Sequence, residues 1–145
     1  MASTLRVELV SPEKVLFSGE ATMVVTRTLG GGDIAFMAGH APFLAALTEN
    51  HTRIYLVDGS VQDVAVHGGF VQVTGDKVSI LSDVAELAAG VDVPRAQRSR
   101  DAAEAALRAD ATDAEATSAL RRATARLAAA GHAGAASGSR PAAAH

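Results

Sequence analysis

The hydrophobic period of the chain changes once, near residue 90. From Thr4 to Val10, Leu5, Val7 and Leu9 alternate with Arg6 and Glu8, the period of two that marks a strand with one buried face. Ser11-Pro12-Glu13 ends that run. A short run from Lys14 to Phe17 stops at Ser18-Gly19, and a Val- and Thr-rich run from Ala21 to Thr26 leads to Gly30-Gly31-Gly32, so two separate strands are predicted here. Asp58-Gly59 between Arg53–Val57 and Ser60–Val66 predicts a hairpin closed by a type I′ turn. Gly75-Asp76, between Val71 with Val73 and Val78 with Ile80, predicts a second. Repeated short strands without intervening helices point to an all-β sandwich or barrel.

After Val93 the pattern has no Val, Ile or aromatic residue, and 21 of the 51 residues from Arg95 to His145 are alanine. Such a segment forms helix readily and builds core poorly. Asp92 is a fitting N-cap, with Pro94 tolerated in the first turn of a helix running to Ala109. Asp110–Asp113 breaks it. Thr112 with Glu115 predicts a capping box for a second helix that ends near Ala130, where Gly131 supplies the stop. Leu107, Leu120 and Leu127 are the large apolar side chains offered to packing, the last two on one face. Against the ordering cost of both helices, that leaves a thin margin for holding the pair in place. The expected architecture is an N-terminal β-sandwich over residues 1–88, an antiparallel α-helical hairpin over 89–130, and a disordered Gly/Ala/Ser/Pro tail over 131–145.

Composition narrows the function classes. All five aromatics, Phe17, Phe36, Phe43, Tyr55 and Phe70, lie in the strand half, which places the one real core there. A net charge of −3 argues against nucleic-acid binding, and the absence of cysteine removes disulfides and thiolate metal sites. No run reaches the roughly 18 apolar residues of a membrane span, and the first residues resemble neither a signal nor a transit peptide, so a soluble chain is expected.

Candidate chemistry in the strand half is sparse. Gly30-Gly31-Gly32 lacks the Lys-Ser or Lys-Thr of a phosphate-binding loop. His40, His51 and His67 show no metal-ligand spacing, so no metal is expected. Ser11 or Ser18 with Asp33 and His40 makes a hydrolase only on paper, since no strand-to-helix elbow presents the serine. Asn50-His51-Thr52 matches a glycosylation sequon, and with no signal peptide expected the match is read as accidental. The charged positions from Arg95 to Arg126 suit a solvated helix face.

At Gly39-His40-Ala41-Pro42-Phe43-Leu44 the chain resembles the ε subunit of bacterial F-type ATP synthases. Further blocks agree in order: Val10-Ser11-Pro12-Glu13, Phe17-Ser18-Gly19-Glu20, the stretch from Ala65 through Gly68-Gly69 to Val73, Val78-Ser79-Ile80-Leu81, and Ala85-Glu86 followed by Val91-Asp92-Val93-Pro94-Arg95-Ala96. The resemblance implies a sandwich of about ten strands carrying a mobile helical hairpin. It implies a non-catalytic central-stalk subunit, peripheral on the cytoplasmic face of the plasma membrane. Its sandwich would bind the γ subunit and the c-ring, and its extended hairpin would reach the α and β subunits and restrain ATP hydrolysis. Asp33 and His40 take the positions of c-ring contacts, although the chain reads Gly32-Asp33-Ile34-Ala35-Phe36-Met37-Ala38-Gly39-His40, with Asp for the usual Glu and no proline before the glycine.

Some members bind a regulatory ATP between sandwich and hairpin, and the matching positions are Glu86, Val91, Asp92, Arg95, Ala96, Arg122 and Arg126. Arginines fork onto phosphate oxygens and carboxylates accept from amino and hydroxyl groups, so the residue types suit the ligand. Pro94 departs from the pattern. On the other reading, Asp92 only caps the helix and Arg95 pairs with a nearby carboxylate. The rival whole-chain readings are a free β-sandwich ligand-binding module whose helices dimerise, and the Ser11, Asp33, His40 hydrolase.

Overall fold

The structure, a computed structural model, describes residues 3–143, with side chains described through residue 135. Seven strands precede two helices: β1 (Leu5–Val10), β2 (Val15–Thr28), β3 (Gly32–Phe36), β4 (Phe43–Leu56), β5 (Val61–Thr74), β6 (Lys77–Leu81), β7 (Ala85–Leu87), α1 (Val93–Ala109) and α2 (Ala114–Ala143). A single 3-10 turn, Ala88–Gly90, joins β7 to α1. The strand order β1-β6-β5-β4-β2 closes on itself through β1–β2 pairing, with β3 on the far side of β2 and β7 on β5. The result is a flattened, closed β-sandwich.

Ser18-Gly19 does not end a strand. β2 runs unbroken for 14 residues, its first half paired with β1 and its second with β3 and β4, and register shifts mark the bend. β4 and β5 are equally long, which is why seven strands do the work of the larger number expected. The β4–β5 pair turns over midway. Ile54, Val64 and Val66 point inward before the break, Leu47, Val71 and Val73 after it, and positive φ at Gly68 and Gly69 absorbs the change of parity. A Cβ on Gly69 would run into the Leu81 carbonyl, so the glycine pair is a steric requirement as well as a conformational one.

The core holds Leu5, Val7, Leu9, Val24, Phe36, Ile54, Val78 and Ile80, all essentially inaccessible. Inside it Thr26, Asn50 and Thr52 bond one another, with Thr52 Oγ1 donating to Asn50 Oδ1 at 2.8 Å. Asn50, the sequon residue, is thus a buried structural amide.

The hairpin at Asp58-Gly59 forms with a different turn. Among the described residues no non-glycine residue has positive φ, Asp58 included, so a type I′ turn is excluded. Instead Gly59 N donates to Leu56 O and Leu56 N to Ser60 O, a turn over Val57-Asp58 followed by left-handed Gly59 at φ 91°. Tyr55 therefore opposes Val61, and Arg53 opposes Asp63. At the second hairpin Gly75 carries the positive φ and Thr74 pairs with Lys77 across a two-residue loop.

α1 begins as the sequence predicts: Asp92 Oδ1 accepts from Arg95 N at 3.1 Å. Pro94 lies in the first turn, where a backbone donor has no intrahelical partner anyway. The cap of α2 is Asp113, which accepts from Ala116 N at 3.0 Å; Thr112 is held instead by Asp110. Glu115 pairs with Arg122, so no capping box forms.

α2 is the middle layer, between α1 and the outer face of β4 and β5. Ala116 and Ala123 lie on one side of it, and with Ala96 and Ala103 of α1 they are buried. Ala125 and Ala129 lie about 200° around the helix and pack with Ala65 and Ala88 of the sandwich. Leu107, Leu120 and Leu127 are only half-buried. The docked interface is built from alanines at close approach, not from the leucines. Gly131 does not stop α2, which continues to Ala143. The tail expected from 131 onward thus starts as helix; residues 144 and 145 lie outside the described residues.

Candidate functional site

A cavity of about 440 Å³ opens where β7, the 3-10 turn and both helices meet, lined by Glu86, Gly90, Asp92, Arg95, Ala96, Ser99, Arg122 and Arg126. Six of the seven residues that the resemblance selects line it. Val91 does not, and Gly90 and Ser99 join. The positions come from three places in the chain. β7 places Glu86 opposite Ala65 at the sandwich edge, the start of α1 supplies Asp92, Arg95 and Ala96, and Arg122 and Arg126, four apart, share one face of α2.

Glu86 is the electrostatic centre. Its Oε1 accepts from Arg126 Nε at 2.6 Å and from His67 Nε2 at 3.0 Å. Burial pushes the carboxyl up, but the hydrogen bonds from Arg126 and His67 outweigh it, and the net shift is below the ordinary 4.5. His67 lies below its ordinary 6.5 because burial penalises the imidazolium and the bond to Glu86 only partly compensates. Its Nδ1 is buried with no partner among the described residues, which leaves no acceptor for a second proton. Sequence analysis weighed His67 only as a metal ligand and did not join it to Glu86, a pairing that the β5–β7 register brings about.

Three guanidinium groups, on Arg95, Arg122 and Arg126, face two carboxylates across this cavity. Arg122 pairs with Glu115 at 3.1 Å and Arg126 with Glu86, whereas among the described residues Arg95 makes no ion pair. Asp92 does cap α1, but the partner foreseen for Arg95 on that reading is not found. A small cavity with an excess of fork-shaped cations and a few acceptors suits a polyanion that also carries donors.

Asp33 and His40 lie towards opposite ends of β3. Asp33 pairs with Arg27 at 2.9 Å, and the bond from that guanidinium holds its carboxyl below the usual range. It lines a groove beneath α2 together with His51, Arg53 and Arg121. His40 is in an exposed turn, its ring edge-on to Phe36 and its Nδ1 2.7 Å from Ala41 O. Ser11 bonds Lys14 within its own turn, and Ser18 accepts from Arg6. No serine, histidine and aspartate of the hydrolase reading are hydrogen-bonded to one another.

The structure does bring together three groups that the sequence left apart: His51 on β4, Asp63 on β5 and His132 on α2, whose ligand atoms all lie within 4.8 Å. Spacing along the chain gave no sign of their convergence, because the three residues come from three separate elements.

Residues 4–88 match the family described as ATP synthase, Delta/Epsilon chain, beta-sandwich domain. The ATP synthase epsilon chain of Streptomyces griseus is 44% identical over 127 residues, a match that covers 88% of this chain and 95% of that one. That of Thermobifida fusca is 43% identical over 134 residues, covering 90% and 94%. Among solved structures, a chain of the Euglena gracilis mitochondrial ATP synthase, OSCP/F1/c-ring in rotational state 1, shares the fold with a TM-score of 0.76 over 89% of this chain and 82% of that one, at 20% identity. This chain belongs to the ATP synthase epsilon chains.

Proposed function

We propose that the chain is a non-catalytic central-stalk subunit that joins γ to the c-ring, and that its hairpin restrains ATP hydrolysis when it leaves the sandwich. The observation that carries this reading is the cavity walled jointly by β7 and both helices, because a ligand held there stabilises the docked hairpin and no other arrangement. We assign that ligand as ATP, with Arg95, Arg122 and Arg126 on the phosphates and Glu86 and Asp92 as acceptors.

The docked state is held by alanine contacts and a few polar bonds, which suits an element that must detach. On the sandwich, Phe70 opposes Leu81 across β5 and β6; both are about half exposed, and Leu44 on β4 is 68% exposed. Such an apolar strip is the proposed seat for γ. Asp33 and His40 are the proposed c-ring contacts. No helix among the described residues is long and apolar enough to cross a membrane, in keeping with peripheral attachment through those partners at the cytoplasmic face.

Removal of all residues after Val91 tests the reading in the reconstituted complex. The expected result is retained association with γ and faster ATP hydrolysis. Unchanged hydrolysis overturns the brake, and loss of γ overturns the assignment of the sandwich.

A further inference from the structure

We propose that His51, Asp63 and His132 form a binding site for a divalent transition cation of the zinc class, one that joins α2 to the sandwich. The site is separate from the cavity at Glu86 and does not depend on what that cavity binds.

Each ligand comes from a different element. His51 Nε2 donates to Asp63 Oδ1 at 2.6 Å, His132 Nδ1 donates to the same oxygen at 2.7 Å, and the two imidazoles lie 5.4 Å apart between ring centres. Asp63 is 1% exposed, so this is a carboxylate sunk beneath a helix and turned to two imidazoles. Arg53 stands directly opposite Asp63 in the ladder, yet no ion pair joins them. Asp63 Oδ2 is buried without a hydrogen-bond partner among the described residues. An idle buried carboxylate oxygen is costly, and a second metal contact is one way to use it.

The donor set is two imidazole nitrogens and one carboxylate oxygen, with no thiolate. That combination favours zinc, cobalt or nickel over calcium or magnesium. Ligands at about 2.0–2.2 Å from a tetrahedral ion stand roughly 3.3 Å apart. The two short hydrogen bonds therefore need to open by about 0.6–0.7 Å as the ion displaces the two bridging protons. His132 is the group that supplies this movement, being 39% exposed on the outer side. That exposed side also leaves room for water as a fourth ligand. Glu49 and Asp33 in the adjoining groove oppose the charge of Arg53 and Arg121 there, so the surroundings do not repel a cation outright.

Because His132 lies on α2 while His51 and Asp63 lie on β4 and β5, the complete ligand set exists only when α2 is docked. Bound metal accordingly holds the hairpin down.

Calorimetric titration of zinc chloride into the full chain tests the site, with cobalt absorption as a second probe of imidazole ligation. One ion per chain is expected, with affinity reduced at least about tenfold in His132→Ala and in His51→Ala. Zinc is also expected to slow proteolysis of α2 in the parent and not in His132→Ala. Asp63→Asn completes the set, but because Asp63 is buried the two histidine variants carry the decision. Absence of saturable binding, or His132→Ala binding zinc as the parent does, overturns the proposal.

Discussion

Arg126 Nε donates to Glu86 Oε1 across 2.6 Å, the one ion pair between the second helix and the last strand of the sandwich among the described residues. Each of the two is roughly 70% buried, and His67 shares the same carboxylate oxygen from below. The pair thus fastens α2 at the point where it also walls the cavity.

Replacement of Glu86 by Gln removes the charge and keeps the shape. α2 should then exchange its amide hydrogens faster by about fivefold, the effect of roughly 1 kcal/mol for a partly solvated pair. Exchange within β5 and β6 should be unchanged. Equal acceleration in sandwich and hairpin would mean that the two do not open separately.

ATP at a hundredfold excess over its dissociation constant should stabilise the docked hairpin by about 2.7 kcal/mol. Arg122→Ala and Arg126→Ala should each weaken calorimetric binding by about tenfold, the value of one charge-assisted bond. A parent chain that shows no heat with ATP would retire the nucleotide assignment.

Acid should loosen the hairpin in two stages. His67 and Glu86 both lie below their ordinary values when folded, and Arg126 of α2 contributes to both shifts, so each group binds protons more readily once α2 has left. Stability is complete above pH 6.5 as far as His67 is concerned, and falls as the pH drops below that value; Glu86 adds a second loss below 4.5. Hydrogen exchange of α2 across this range reads the effect. His67→Gln should abolish the first stage and spare the second.

Ala129 is fully buried against the sheet and Ala123 on the α1 side. Leucine at either position should destabilise docking by about 1–3 kcal/mol through overpacking. The readout is protease sensitivity of the hairpin, with β-sheet circular dichroism retained.

Gly69→Ala should damage the sandwich itself. At φ 115° an L-residue is strained, and the added Cβ meets the Leu81 carbonyl, so a loss above about 3 kcal/mol is expected in thermal unfolding.

Much of this protein was readable one residue at a time. Leu5, Val7 and Leu9 alternate, and all are buried; Asp92 looks like a cap, and caps; the run of alanines after Pro94 is helical. These are local decisions, taken by neighbours within one strand repeat or one helical turn. The composition boundary near residue 90 marks the same transition in the fold, and six of the seven nucleotide-site positions drawn from the resemblance, all but Val91, line one cavity because β7, α1 and α2 meet there.

What the sequence did not determine depends on partners distant in the chain. A type I′ turn at Asp58-Gly59 would have slipped the β4–β5 register by one residue and put Asp63 on the opposite face from His51; the turn that forms puts both under α2. Gly131 costs a helix about 1 kcal/mol, yet α2 passes through it, since Ala129 and Ala133 pack on the sandwich and His132 reaches Asp63. Local propensity set the elements. Their register, the length of the last helix and the meeting of His51, Asp63 and His132 were decided by tertiary contacts, whose energies exceed the small preferences of single residues.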